Sequence, residues 1–597
     1  MVKCGLEIHQ QLATKKLFCD CDSELSDEVL YRFERVLRPT QSELGEIDRA
    51  ALEESLKHRR FIYEVTPNSC LVEADEEPPH ELNREALEIA LKIALMLNAQ
   101  ILDEIHVMRK IVIDGSNTSG FQRTALIAVN GYLETSFGRV GIPTICLEEE
   151  AARKIEEDDD KVVYRLDRLG IPLVEISTSP EMKSGEEVRE VAARIGYLLR
   201  ATKKVRRGVG TIRQDINISI GEGRVEIKGA SRLNMIPKWV NNEIERQKML
   251  RDIARILQER DARVEEKIYD LTDIFENTES RIIKNTLKRG GKILGIKLIG
   301  FQGVLKNGNL RLGKELAENV RVLGVKGLFH GDELPAYGIS EEEVEKIIRR
   351  LELGPNDSFV IIGEKEEKVR IALQKVIDRA KKALIGVPDE TRAPKDDGST
   401  VYLRPLPGGA RMYPETDIPP IRISEEYIEK LKKELPPLPD ERLEELVSMG
   451  INREIGWQLI RDGMDDVFEE LCTKYGYPRV VARALINGCE GIDYNRIFQY
   501  FSEGRFSKEA IDEIVMRACN GEKVEDIVRK FSEKVDIDQV IDEIMKEKME
   551  LVKERGMHAF KPLMGLAMQK LRGKVDGRIV SEKLRKRLEE IVNQESK

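Results

Sequence analysis

Several short runs of the chain alternate apolar and polar positions, and each predicts a strand with one buried and one polar face. In residues 5–9, Leu6 and Ile8 take one side and leave Glu7 and His9 together on the other. Residues 211–220 repeat the pattern and place Arg213, Asp215, Asn217 and Ser219 on one face. Residues 225–228 do so again with Glu226 and Lys228. The run 170–177 is apolar except for Glu175, a carboxylate that is costly to bury unless it is paired or meets a cation. Residues 85–97 have the helical period and predict a helix with one face on a sheet. Residues 147–150 read as the opening of a helix, where Glu148 and Glu149 suit the positive end of the dipole.

Further along, the texture changes. Residues 281–387 carry a Gly290-Gly291 pair, strand-like runs at 293–298 and 359–362, and helical periods at 341–348 and 368–385. Their ends fall between a helix and a turn at 391–394, the mark of a domain inserted in a larger one. Proline and glycine crowd residues 405–420, a loop or linker. From 424 onward the pattern is helical. The predicted fold class is therefore multidomain α+β, since 597 residues exceed one core. A mixed or antiparallel sheet domain takes 1–280 and returns at 388–424, around the insert at 281–387. A helical domain follows at 425–532 and a tail domain at 533–597.

Composition narrows the setting. No run of about eighteen apolar residues exists, so no membrane span is expected. The opening strand pattern leaves no room for a signal peptide. Eight scattered cysteines do not make a disulfide framework and suit a reducing cytoplasm. The net charge of −10 gives no general attraction to nucleic acid. Residues 203–207 nevertheless form a basic knot, and residues 548–597 hold thirteen Lys or Arg against seven Asp or Glu. Local patches on an acidic chain suit a polyanion that docks in one orientation, although solvated helix faces look the same.

The candidate chemistry is oxygen-rich. Glu7 beside His9 is a common metal or acid–base pairing, and a carboxylate such as Glu175 in an apolar run suits Mg2+, which commonly shares its sphere with phosphates. An exposed strand face explains Glu7 and His9, and helix capping explains Glu148 and Glu149, equally well. Residues 115–124, with Ser116, Asn117, Ser119 and Arg123, form a small-residue loop whose amides can cradle phosphate without matching the Walker pattern. Cys19 and Cys21 invite zinc. The nearest third cysteine, Cys70, has no second cysteine beside it, which argues against a closed site.

Six segments in order, GLEIHQQL with LFCDC, LEEEAAR, GIPLVEISTSPEM, GTIRQDINISI, VEIKG and EIERQ, resemble the GatB/GatE family of tRNA-dependent amidotransferases. Residues 38–54 and 113–124 resemble its archaeal branch. Residues 327–338 are similar to the GAD domain of bacterial-type aspartyl-tRNA synthetases, and residues 564–578 to the family's YqeY-like tail. The resemblance implies a cradle domain that binds ATP, Mg2+ and the 3′ end of Glu-tRNA(Gln). It implies phosphorylation of the γ-carboxylate, then amidation by ammonia. His9, Glu148 or Glu149, and Glu175 would hold metal, with Glu7 beside them. Arg213 and Lys228 would face phosphate or substrate carboxylate; Ser116, Asn117, Ser119, Arg123, Asp215 and Asn217 would face the nucleotide. Lys570, Arg572 and Lys574 would grip the tRNA body. The chain carries no amidase signature and no nucleophile arrangement for releasing ammonia. In the archaeal branch the resemblance implies ammonia from a separate glutaminase, the D component, in a heterotetramer of two D and two E chains. The cysteine pair that completes a zinc site in many family members is missing here. The GAD-like segment raises a synthetase as a rival, but neither class of synthetase motif is present. A non-catalytic tRNA-binding scaffold is the other.

Overall fold

The computed structural model describes residues 1–597 except 39–46, 48–58, 113, 159, 326, 407–411, 490, 533–535, 572–576 and 596–597. Most of the 38–54 segment, Ile113, Arg572 and Lys574 lie outside the described residues. The chain divides into two units, Met1–Leu435 and Pro436–Lys597.

The first unit is built on one large sheet. Its strands run in the order Thr400–Pro405, Glu390–Pro394, Val225–Ile227, Ile212–Ser219, Lys3–Gln11, Pro172–Ser177, Gly138–Glu149, Phe121–Thr135, Val107–Ile111 and Met412–Pro414. Only the pairing of Val225–Ile227 with Glu390–Pro394 along this path is parallel. The two edge strands are separated by the short segment 406–411. Seven residue steps reach at most about 25 Å, whereas ten flat strands would span roughly 43 Å at their usual spacing. The sheet must therefore curl strongly.

The return segment does more than link. Residues 391–394, expected as a turn, continue the sheet because Arg392 pairs with Ile227 and Tyr402. Residues 412–414, expected in a linker, close the far edge against Val107–Ile111.

Three helices cover one face of this sheet. Arg84–Met96 starts at Asn83, whose side chain accepts from the Ala86 amide at 3.0 Å. Its Leu87, Ala90, Leu91 and Ala94 share a core with Ile127, Val140, Ile142 and Ile145 of the sheet. Gly185–Ala201 and Ile236–Glu259 extend this core over Leu6, Ile8, Ile176 and Ile216. The alternation of residues 5–9 and 211–220 is thus realised, with the apolar side under helices. A smaller sheet, Tyr31–Arg35, Arg60–Val65, Lys161–Arg165 and Arg153–Glu157, packs its own core around Tyr63 and Tyr164.

The insert begins earlier than position 281. Arg263–Val264 and Tyr269–Asp270 already pair with Lys292–Ile299 in the insert's sheet, together with Ser358–Glu364 and Leu328–His330. Helix Glu366–Ala383 packs on that sheet, and the helix Ile236–Glu259 lends Leu250, Ile253 and Leu257 to the same core. At this junction the half-buried Arg246 and the buried Arg379 and Arg392 meet four buried glutamates. Arg246 reaches Glu243, Glu315 and Glu390 at 2.9, 2.6 and 3.0 Å. Arg392 bonds Glu318 and Glu390, and Arg379 bonds Glu315. Burial opposes the charge of Glu315, but the three guanidiniums hold it far below the usual carboxylate range.

The end of the first unit also moves. Helix Glu425–Lys433 belongs with the large sheet's core through Leu431, so the boundary falls at 435/436 rather than 424/425. The second unit is helical throughout its described residues and holds two separate cores, one from Leu443 to Phe531 and one from Ile541 to Leu588. Cys489 and Cys519 are joined by a disulfide inside it, a pairing their sequence separation did not indicate. Among the described residues no helix is long and apolar enough to cross a membrane.

Arg246→Met should lower stability by about 3–5 kcal/mol, because it removes the cation that Glu243, Glu315 and Glu390 share and leaves four buried glutamates to Arg379 and Arg392. Urea unfolding followed by far-UV circular dichroism checks this; an unchanged midpoint would mean the network carries no stabilisation.

Candidate active site

The centre of the large sheet sets the site. Strand Lys3–Gln11 lies between Pro172–Ser177 and Ile212–Ser219, so His9 stands opposite Glu175 on one side and Arg213 on the other. Glu7, two residues earlier on the same face, stands opposite Ser177 and Asp215. Glu175 in turn faces Cys146, which puts Glu148 on the same side of Gly138–Glu149. The result is a cluster on the face away from the helices. His9 Nε2 is 3.3 Å from Glu175 Oε2 and 3.5 Å from Glu148 Oε1. Lys110 reaches in from Val107–Ile111, with Nζ 3.8 Å from Glu148 and 3.9 Å from Glu175. Glu7, Asp215 and Glu226 form an adjoining group, and Glu7 belongs to both. Lys228 Nζ sits 2.7 Å from Asp215 and 3.4 Å from Glu226.

Electrostatics mark this cluster as incomplete. Five carboxylates face three cationic side chains, His9, Lys110 and Lys228. Burial works against charge on His9, but the hydrogen bond to Glu175 and the nearby Glu148 push it up to about 9. Burial also opposes charge on Glu175, yet His9 and Lys110 draw it down to about 2. Burial, then the field of Glu175, lifts Glu148 to about 7, and the same two causes lift Glu7 to about 7. Glu148 Oε2 is buried without a hydrogen-bond partner. An excess of buried carboxylate with an unspent oxygen is the environment a divalent cation relieves. The donors are carboxylate oxygens plus one imidazole, and the atoms of Glu7, His9 and Glu175 lie within 4.8 Å of one another. The residues therefore fit Mg2+, a hard cation that takes oxygen ligands.

Not every expected residue joins this cluster. Residues 147–150 end a strand and do not open a helix, so alternation sends Glu149 to the face opposite Glu148. There Glu149 accepts the Arg123 amide at 2.9 Å and lies 3.7 Å from its guanidinium. Arg123 is further tied to Glu415 at 2.9 Å. Ser116 bonds Asp114, Ser119 bonds the Phe121 carbonyl, and Asn117 is buried with its Nδ2 unpartnered. This loop and Arg123 line a small cavity with Phe18, Glu73 and Glu149, away from His9. The structure therefore separates Ser116, Asn117, Ser119 and Arg123 from Asp215 and Asn217, which stay on the cluster's face. Arg213 shares that face and is held by Glu150 at 2.6 Å with its side chain part exposed.

Lys110 is not legible in the sequence, because Met108, Arg109 and Lys110 break the alternation of their short strand. Glu226 reads there only as a partner for Lys228, and nothing in the spacing brings it to Glu7. In the second unit, Lys570 lies on helix Phe560–Leu571 and is 3.7 Å from Glu547. In the basic knot, Lys204 pairs with Glu85 and Arg206 with the Ser23 carbonyl.

A family model described as the GatB/GatE catalytic domain matches residues 2–429, and one described as the GatB domain matches residues 489–588. The second match starts well before residue 533, where the pattern of the chain places the tail. The chain is 49% identical to the E subunit of the glutamyl-tRNA(Gln) amidotransferase of Methanocaldococcus jannaschii, over 99% of both chains. It is 49% identical to the E subunit of the same enzyme from Thermococcus gammatolerans, over 99% of this chain and 98% of that one. The E subunit from Archaeoglobus fulgidus is 48% identical over 99% of both. On a family model that covers most of its length and relatives that match it end to end, the chain belongs to the GatB/GatE family.

Proposed function

We propose that this chain converts Glu-tRNA(Gln) to Gln-tRNA(Gln) by activating the glutamate γ-carboxylate with ATP at the His9–Glu148–Glu175 cluster. The observation that carries this reading is the cluster's surplus of buried carboxylate, with Glu148 Oε2 making no hydrogen bond, on a sheet face that also presents Arg213 and Lys228. The activity follows the family and the names of its relatives.

His9, Glu148 and Glu175 would hold one Mg2+, and Glu7, Asp215 and Glu226 offer an adjoining set of oxygens. Mg2+ there would neutralise charge on the phosphoryl group in flight. Lys110 balances Glu148 and Glu175 from the other side. Arg213 and Lys228, each with a partly exposed end, would orient the γ-phosphate. No protein nucleophile is required. A γ-carboxylate oxygen of the glutamyl group attacks phosphorus, the bond to the β-phosphate oxygen breaks, and ADP leaves. Ammonia then attacks the acyl carbon, phosphate departs, and a proton is lost from nitrogen to leave the amide. Because the sequence carries no arrangement for hydrolysing glutamine, ammonia comes from a partner, the D-type glutaminase, in a complex of two D and two E chains. The helices of residues 436–597 would hold the tRNA body.

Glu175→Gln and His9→Ala should each reduce Glu-tRNA(Gln)-dependent ADP release about 100- to 1,000-fold with the partner and glutamine present. Retained turnover in both would leave the chain a tRNA-binding scaffold. Glu148→Gln should raise the Mg2+ concentration for half-activation at least about tenfold, and Glu149→Gln should shift it by less than about twofold. Equal shifts would refute the assignment of opposite faces. Removing residues after Phe531 should weaken tRNA binding and flatten its dependence on salt, since phosphate contacts set that slope. Affinity unchanged across a salt series would show that the tail does not touch the tRNA.

A further inference from the structure

The far end of the large sheet carries a cation that its neighbours leave unpaired. Thr391 pairs in register with Glu226, and its hydroxyl donates to Glu226 Oε2 at 3.0 Å. Thr391 therefore stands on the face that carries the cluster. Glu390 and Arg392, on either side of it, point the other way into the charge network at the insert junction. On the next strand, Thr400–Pro405, Arg392 pairs with Tyr402 but Thr391 pairs with Arg404. Leu403 is thus one residue too many for the ladder, a β-bulge. Plain alternation from Tyr402 would send Arg404 to the network's face. The bulge turns it instead onto the face of Thr391 and Glu226, as bulges beside binding sites re-aim a side chain.

Lys110, Arg213 and Lys228 on this face each lie beside a carboxylate. Arg404 is half-buried and has no carboxylate partner among the described residues. A charged residue on an edge strand also deters pairing between sheets. That would explain an arginine turned to solvent, not one re-aimed along the row of Asn217, Glu226 and Thr391. We propose that Arg404 is a phosphate-binding residue of the active face, holding a phosphate group that lies away from the metal cluster. Two strand spacings, about 10 Å, separate its strand from that of Glu226. Its guanidinium offers a planar fork to two phosphate oxygens, a geometry that lysine does not supply. The inference rests on the activity proposed above, in which both substrates carry such a group: the nucleotide beyond its γ-phosphate, and the 3′ end of the tRNA.

Equilibrium binding to the full-length chain tests this with two probes, the Mg2+ complex of a non-hydrolysable ATP analogue and Glu-tRNA(Gln). Arg404→Met keeps the apolar stem and removes the charge, and it should weaken binding of one probe about 10- to 100-fold. A loss confined to the nucleotide assigns Arg404 to the ATP phosphates. A loss confined to the tRNA, with the salt slope reduced by about one, assigns it to a backbone phosphate. Arg404→Lys should weaken the same binding about three- to tenfold, because the charge is kept and the fork is lost. Native affinity for both probes in either variant would overturn the proposal. Native binding in Arg404→Met, together with lost ADP release in Glu175→Gln, would remove Arg404 and leave the proposed activity standing. Turnover retained in Glu175→Gln would remove the activity, and the two binding measurements would still decide Arg404.

Discussion

The register of the three central strands is the constraint on which the candidate active site rests. His9 meets Glu175 on one neighbour and Arg213 on the other only because Lys3–Gln11 pairs with both strands at one fixed offset. A slip of Lys3–Gln11 by a single residue would turn Glu7 and His9 toward the helices and Leu6 and Ile8 toward solvent, and would break the meeting with Glu175. The apolar core under the helices holds that register, so the chemistry on one face is stabilised by packing on the other.

Two buried charge clusters in the first unit show how differently ions can be used. At the insert junction, Arg246, Arg379 and Arg392 answer Glu243, Glu315, Glu318 and Glu390 at hydrogen-bonding distance. That network joins the insert to the sheet through paired charges. Around His9 the carboxylates outnumber their partners, and Glu7 and Glu148 are lifted to about 7 by burial and by Glu175. A charge surplus held in place by rigid strands costs stability that matched ion pairs do not.

Much of the site is legible from residue pattern. Period-two alternation sets Glu7 with His9 and Arg213 with Asp215 and Asn217, and an isolated carboxylate in an apolar run singles out Glu175. The failures share a physical origin. Residues 147–150 carry three consecutive glutamates, a run that suits a helix start as well as a strand end, so the opposite orientations of Glu148 and Glu149 are hidden. The loop of Ser116, Asn117 and Ser119 has the composition of a phosphate cradle, but Ser116 and Ser119 make local bonds, and Arg123 pairs with Glu149 and Glu415. Lys110 lies in a short strand whose alternation is broken, which gives no signal for the face it reaches.

By itself, the sequence determined the α+β class, the helical remainder and the family, because local periodicity and ordered motifs are properties of neighbouring residues. Tertiary structure alone decided which residues meet across the chain. It chose Glu148 over Glu149, added Lys110 and Glu226, and drew residues 412–414 to the far edge of the sheet. It also brought Glu73 to Cys19, Cys21 and Cys70. Each of these depends on strand register or on chain reversal, and a contact between residues fifty to three hundred positions apart leaves no trace in the spacing of either partner.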